Sequence, residues 1–513
     1  MFSLQFLLAL NEMGDLLTVS NQFVILPVLV PLAGAMVALL LRRRRSLQAG
    51  WTLATMLVAL AISVMVLLEV SRNGRPLVFD SGGWPAPFGI TIVGDMLSAT
   101  FVVMVQLVMV AGILYAIGSK DTAVGYPTFF PLFLLLATGL TGAIFTGDLF
   151  NMFVFAELLV ISGTVLTAIS DDRFGTEAAY KYFYISLLAS FFMLLSIGCL
   201  YASYGTLNMA NLADRIAVRD LQPLLLPAIG FLMATFMIKS AVFPMHFWQP
   251  DFHAASPTAV SAMLSSVVVK LGVYGFLRMT TLLFIEQAPI IRLILLILGI
   301  TGIIFGGLSA IGTNNVKRML AYSTVAQVGF ILVGIGWGTT LSITAAIVFS
   351  VNHSLIKAAL LMLAGYVASR APVKSAAFGV VTGIGRFLPL SGLLFFFGIL
   401  ALAGIPPTNG FISKLLLFGS GIEGAEFVSL LIIGLASILT LIYTIRAFQR
   451  IWWQKPAEDV QIKASGDHLL APSLLVGLIL LLGLWSDPLI KTAEQTSLWL
   501  ADPMAYIQAV LGG

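Results

Sequence analysis

Five ionisable side chains lie deep inside long apolar stretches: Lys239, Lys270, Lys357, Lys414 and Glu157. Holding a charge at the centre of a bilayer costs roughly 3 kcal/mol on insertion scales, so such residues persist where a water path or an opposite charge receives them. Their shared chemistry is to bind, hold and pass on a proton or cation. Five in one chain point to a charge pathway across a membrane.

Each sits in a distinctive segment. Glu157, in TGDLFNMFVFAELLVISG, falls about nine residues into its span, roughly 13 Å along a helix and so near mid-depth. It reads either as half of a structural ion pair or as a charge partner that modulates a lysine. Lys239, in IKSAVFPMHFW, is the partner type such a carboxylate would take. Lys270, in SSVVVKLGVYG, has no acid on its own helix and suits relaying protons. His353 and Lys357, in VNHSLIKAALLM, are spaced i, i+4 and share one helix face. Histidine titrates nearest neutrality, so this pair reads as a relay step, against the plainer alternative of a satisfied core histidine beside a lysine. Lys414 follows GIPPTNG and would be the terminal proton site. Asp148 reads as a helix N-cap. His246, His253 and Asp251 surround a proline-flanked loop that suits a turn or an opening better than a rigid metal site, so no metal is expected.

These residues need long apolar helices to position them. About fourteen stretches reach the roughly twenty residues that a bilayer crossing takes. They fall near 23–41, 51–70, 95–117, 127–146, 148–169, 180–204, 222–246, 258–283, 289–312, 318–337, 341–368, 387–418, 424–451 and 470–486, with a short amphipathic lead-in over 1–20. Pro244 interrupts the seventh, and Pro406 and Pro407 the twelfth. Proline removes a backbone donor, and a break at membrane depth survives only where protein or water satisfies the freed groups. Two broken helices in corresponding halves point to an inverted repeat with a polar path between its members. The segments around Gly306-Gly307 and around Gly334 and Gly336 suit close helix packing.

Composition agrees. Of 513 residues, 59% are hydrophobic and 10% charged, with a mean hydropathy of +1.02, which no soluble core requires. The net charge of +4 says little, and the run Arg42 to Arg45 directly follows an apolar span, as a topology anchor does rather than a nucleic-acid site. Of 27 basic residues, 16 fall on one side of these spans, 7 on the other and 4 within the membrane, which predicts both termini outside. The single cysteine, Cys199, leaves no disulfide and no cysteine cluster for zinc or iron–sulfur. No nucleotide, flavin or iron–sulfur motif is present, so no cofactor is expected. The first forty-one residues carry no Lys or Arg, which argues against a cleaved signal peptide.

Taken in order, GDLFNMFVFAELL, KSAVFPMHFWQPDFHAASPTAVSAMLSSVVVKLGVYG, NNVKRMLAYSTVAQVGF, NHSLIKAALLMLAG and GIPPTNGFISKLLLF resemble the antiporter-like subunits shared by Mrp-type cation/proton antiporters, respiratory complex I and membrane-bound hydrogenases. The form is most similar to the D-type member of Mrp antiporters. That resemblance implies an all-α polytopic membrane protein of fourteen helices with two inverted five-helix repeats, each containing a broken helix. It divides the chain into N-terminal helices over 1–126, a first repeat over 127–283, a second over 289–453, and a C-terminal loop, last span and tail over 454–513. It implies Glu157 and Lys239 as a charge pair, Lys270 as the bridging lysine, His353 and Lys357 as the connecting relay and Lys414 as the terminal lysine. The implied function is proton translocation in a multisubunit Na+/H+ antiporter of the cell inner (plasma) membrane, with other membrane subunits, H+ and Na+ as partners and no nucleic acid. A redox-driven proton pump such as a quinone oxidoreductase or hydrogenase is the nearest alternative. A membrane scaffold whose buried charges merely guide assembly is an alternative of another class. The complex I component with a long C-terminal lateral helix does not fit, because too little chain follows residue 486.

Overall fold

The computed structural model describes residues 20–169, 172–456 and 462–512. The amphipathic lead-in expected over 1–20 lies, apart from Ser20, outside the described residues. The chain is a bundle of apolar helices: α1 (Asn21–Arg43), α2 (Arg45–Asn73), α3 (Met96–Ile117), α4 (Phe129–Phe145), α5 (Leu149–Ala168) and α6 (Arg173–Tyr204). A short helix, α7 (Met209–Val218), leads to α8 (Leu225–Lys239) and α9 (Gln249–Ala255). Next come α10 (Thr258–Leu283), α11 (Ala288–Gly312), α12 (Val316–Trp337) and α13 (Thr340–Arg370). The chain continues through α14 (Pro389–Ala403), α15 (Asn409–Glu423), α16 (Phe427–Trp453), α17 (Leu470–Leu484), α18 (Asp487–Leu500) and α19 (Pro503–Leu511).

Among the described residues, ten helices are long and apolar enough to cross a membrane, eleven if α17 and α18, bent by 76°, count as one span. Three shorter apolar helices, α4, α8 and α14, fall within further stretches read from sequence. The protein is therefore an all-α, multi-pass membrane protein. One addition breaks the pure helical pattern: Leu77–Asp80 pairs antiparallel with Thr91–Gly94. These eight residues connect α2 to α3 and have too few apolar neighbours in sequence to show as a span, so hydropathy alone passed over them.

Local chemistry fixes the helix ends. Asp95 caps α3 through Ser98 N–H at 2.8 Å while Ser98 Oγ accepts from Asp95 N–H, a reciprocal capping box. Asp148 caps α5 through Asn151 N–H at 2.9 Å, as read from sequence. Gly404 ends α14 at φ 82°, a left-handed conformation that a side chain disfavours.

Both expected breaks are present, and each is braced by a side chain. Between α8 and α9 the chain turns over residues 240–248, and Trp248 Nε1 donates to the Ile238 carbonyl at 3.3 Å. Between α14 and α15 it turns over 404–408, and Lys414 Nζ donates to the Ala403 carbonyl at 2.7 Å. The first broken segment runs on to Ala255, beyond the 246 expected from hydropathy, because the polar stretch after Pro244 is helical again.

At the centre stand α10 and α13, whose apolar windows are wholly buried and which pack on each other. Two five-residue π-turns, Leu264–Val268 and Met279–Leu283, interrupt the regular ladder of α10. Single π-turns inside α-helices frequently mark functional positions.

Candidate functional site: a buried lysine–histidine row

Lys270 is wholly buried on α10, just after the first π-turn. Its Nζ donates to the Ser266 carbonyl at 3.2 Å and lies 2.7 Å from His353 Nδ1 on α13. The same Ser266 carbonyl accepts from Ser354 Oγ at 2.9 Å, so one oxygen ties both helices together. A hydrogen bond needs one donor and one acceptor, so a single hydrogen fits between the facing nitrogens of Lys270 and His353.

Lys357 shares the helix with His353 but serves another neighbour. Its Nζ donates to the Leu320 carbonyl of α12 at 2.7 Å. The i, i+4 spacing thus places the two on one helix, while their head groups separate toward α10 and α12. Further on, Lys414 of α15 is held against the Ala403 carbonyl and lies 5.2 Å from the centre of the Phe330 ring. Its position relative to α13 is set by a reciprocal amide pair. Asn352 Nδ2 donates to the Asn409 carbonyl at 3.0 Å and to Ser413 Oγ at 2.9 Å, and Asn409 Nδ2 donates to Asn352 Oδ1 at 2.9 Å.

Lys239 is the last residue of α8, where the helix dipole presents its negative end. Gly272 of α10 allows this end to approach closely: a Cβ there would fall 2.1 Å from Ser240 Oγ and 2.4 Å from the Phe236 carbonyl. The break that carries Lys239 is thereby seated against the helix that carries Lys270.

Glu157 departs from the expectation of full burial. It is half-buried, at the surface of this chain, and accepts a hydrogen bond from Ser190 Oγ of α6. Lys239 Nζ is buried and has no hydrogen-bond partner among the described residues. The expected Glu157–Lys239 pair is therefore not a contact ion pair. Asp251, once a conceivable metal ligand, is occupied by Arg318 at 2.5 Å and Lys181 at 3.0 Å. His253 is buried beside Ser261.

Three buried charges escaped sequence reasoning. Arg278 pairs with Asp95 at 2.6 Å, with side chains 3% and 0% exposed, and its guanidinium lies 5.1 Å from the ring centres of both Tyr274 and Tyr506. Tyr506 belongs to α19, so the last helix covers the pair. Asp95 stands just before α3 and Arg278 near the end of α10, where a sequence reading assigns charges to the surface. Lys317 is likewise buried at the start of α12, with Nζ 3.3 Å from the Ser256 carbonyl.

Residues 146–440, more than half the chain, match the family described as NADH:quinone oxidoreductase/Mrp antiporter, transmembrane region. The chain belongs to this family. Family membership is consistent with the resemblance read from the motifs. The D component of the Na(+)/H(+) antiporter of Bacillus subtilis is 32% identical over 497 residues, covering 96% of this chain and 99% of that protein. The N component of the NADH-quinone oxidoreductase of Desulforudis audaxviator is 34% identical over 500 residues, covering 92% and 98%. A chain from the solved Mrp complex of Dietzia sp. DQ12-45-1b superposes with a TM-score of 0.88 at 27% identity, covering 96% of this chain and all of that one.

Proposed function

We propose that this chain is the proton-translocating, D-type membrane component of a multisubunit Na+/H+ antiporter. The observation that carries the reading is the 2.7 Å contact between Lys270 Nζ and His353 Nδ1, set between two wholly buried helices. Protons move along the row from Lys239 through Lys270 and His353 to Lys357 and Lys414, and Glu157 biases Lys239 as its distance or charge changes. The full-length similarity to a protein named as part of a Na(+)/H(+) antiporter supports coupling to Na+.

The chain in this reading crosses the plasma membrane fourteen times with both termini outside, in line with its basic-residue asymmetry. Residues 127–283 and 289–453 form two inverted repeats, each built around one of the breaks; 1–126 and 454–513 flank them. Other membrane subunits complete the assembly. The half-exposed Glu157 supports this, because a carboxylate at mid-depth calls for protein rather than lipid beside it.

A second reading, a proton-pumping part of a redox-driven complex, is favoured by the similarity to a quinone oxidoreductase component. Everted vesicles carrying the chain with the subunits encoded beside it separate the two. A pre-formed pH gradient that collapses on adding Na+ supports the antiporter. An assembled complex that ignores Na+ and acidifies the vesicles only when a reduced donor and quinone are supplied contradicts it.

A further inference from the structure

Beside His353 lies a small cavity of about 10 Å3. Gln327 of α12, His353, and Ser413 and Lys414 of α15 line it, with Phe349 and Leu402 as apolar wall. A space of this size is at the lower bound for one water, which needs ~10–15 Å3 by this measure and two or more polar partners. Two buried polar atoms belonging to these residues have no partner among the described residues: His353 Nε2 and Gln327 Nε2. Both side chains are at least 98% buried, being 1% and 2% exposed. Such atoms call for an ordered water when protein supplies nothing.

We propose that Gln327 is a positioning residue that holds one water in this cavity, and that this water is the link between His353 and Lys414. This rests on the proton-translocating reading above. The imidazole geometry sets the direction of the bonds. Because Nδ1 faces the Lys270 ammonium and accepts from it, Nε2 carries the hydrogen and donates into the cavity. Gln327 Nε2 donates from α12, so the water's two lone pairs are taken. Its own two hydrogens then point to Ser413 Oγ and to the amine of Lys414 when that amine is neutral.

Passage balances as follows. A proton leaves Lys270 Nζ for His353 Nδ1 while the Nε2 hydrogen goes to the water oxygen. The water gives one of its original hydrogens to Lys414 Nζ. Lys270 ends neutral, Lys414 ends as an ammonium, and His353 is left as the other neutral tautomer, which must revert before the next passage. Asn352 and Asn409, which clamp α13 to α15, keep the two ends of this link at fixed separation.

The test uses the assembled complex in two measurements. A cryo-EM map that resolves ordered waters should place one between His353 Nε2, Gln327 and Lys414 in the wild type, and none in Gln327→Met. In vesicles, Gln327→Met should slow Na+-driven proton movement about tenfold or more, with half-saturating Na+ unchanged and a larger slowing in D2O than the wild type shows. A purely structural role would leave the D2O ratio at its wild-type value. Gln327→Asn, which keeps the amide but withdraws it by one methylene, serves if the methionine variant does not assemble and should behave the same way. A wild-type cavity without water overturns the proposal, as does full transport in an assembled variant or a water that stays in place without Gln327. The water map stands apart from Na+ coupling, so a complex with the water but no Na+ response refutes the antiporter reading and not this one.

Discussion

Lys270 Nζ and His353 Nδ1 lie 2.7 Å apart across the contact of two helices with no exposed apolar face. The separation leaves no room for a bridging water, so any proton exchanged between these residues would cross in one step. Lys270→Met and His353→Leu should each reduce Na+-driven proton movement by roughly 100-fold. Two groups serving one step do not add, so the double variant should be no slower than the slower single one. Transport rates in vesicles with matched complex content check this; multiplied defects would place the two residues on separate routes.

The Asp95–Arg278 pair should matter for assembly rather than for transport. Removing one member of a buried pair strands the other, at a cost of about 3–5 kcal/mol. Arg278→Leu should therefore lower the thermal transition of the purified complex. Asp95→Asn in the same chain keeps an oxygen for the cap to Ser98 N–H while removing the stranded charge, and should restore much of the loss. Thermal unfolding of the single and double variants beside the wild type reads this directly; no recovery in the double variant would mean that the cap, not the charge, dominates.

Gly272 should tolerate no side chain. A Cβ would meet backbone and side chain of α8 at 2.1–2.4 Å, and backbone cannot yield as a flexible side-chain tip can. Gly272→Val should push the Lys239 break away from α10 and reduce both the yield of complex and its transport. Gly230, where a Cβ meets nothing within 4 Å, is the matched control on α8, and Gly230→Ala should behave as wild type.

Lys414→Glu should keep part of the activity, since a protonated carboxyl can still donate toward the Ala403 carbonyl and carry a proton onward. Lys414→Met can do neither and should be inactive. Vesicle transport by both variants, normalised to assembled complex, separates them; equal inactivity would mean that the positive charge beside the Phe330 ring is itself required.

The parts of this fold that could be read from sequence were those with a large energetic contrast. A lysine within twenty apolar residues, or a proline within a span, stands out whatever surrounds it, and Lys239, Lys270, Lys357, Lys414 and both breaks were found that way. Features that depend on which distant segments meet were not accessible. Nothing in GFLRMTT announces that Arg278 faces Asp95, and Asn352 and Asn409 look like ordinary polar residues until α13 and α15 are brought together. The depth of Glu157 along its helix followed from counting residues, but which way it faces did not, because α5 is apolar on every side and offers no moment to orient it. The hairpin over 77–94 is too short and too mixed in composition to register against membrane spans.

Lys239 provides the most direct test of the central claim that this row carries protons. In everted vesicles holding the complete complex, Na+ should collapse a pre-formed pH gradient with the wild-type chain and leave it standing with Lys239→Ala, at equal amounts of assembled complex on native gels. Wild-type collapse by an assembled Lys239→Ala complex would contradict the account.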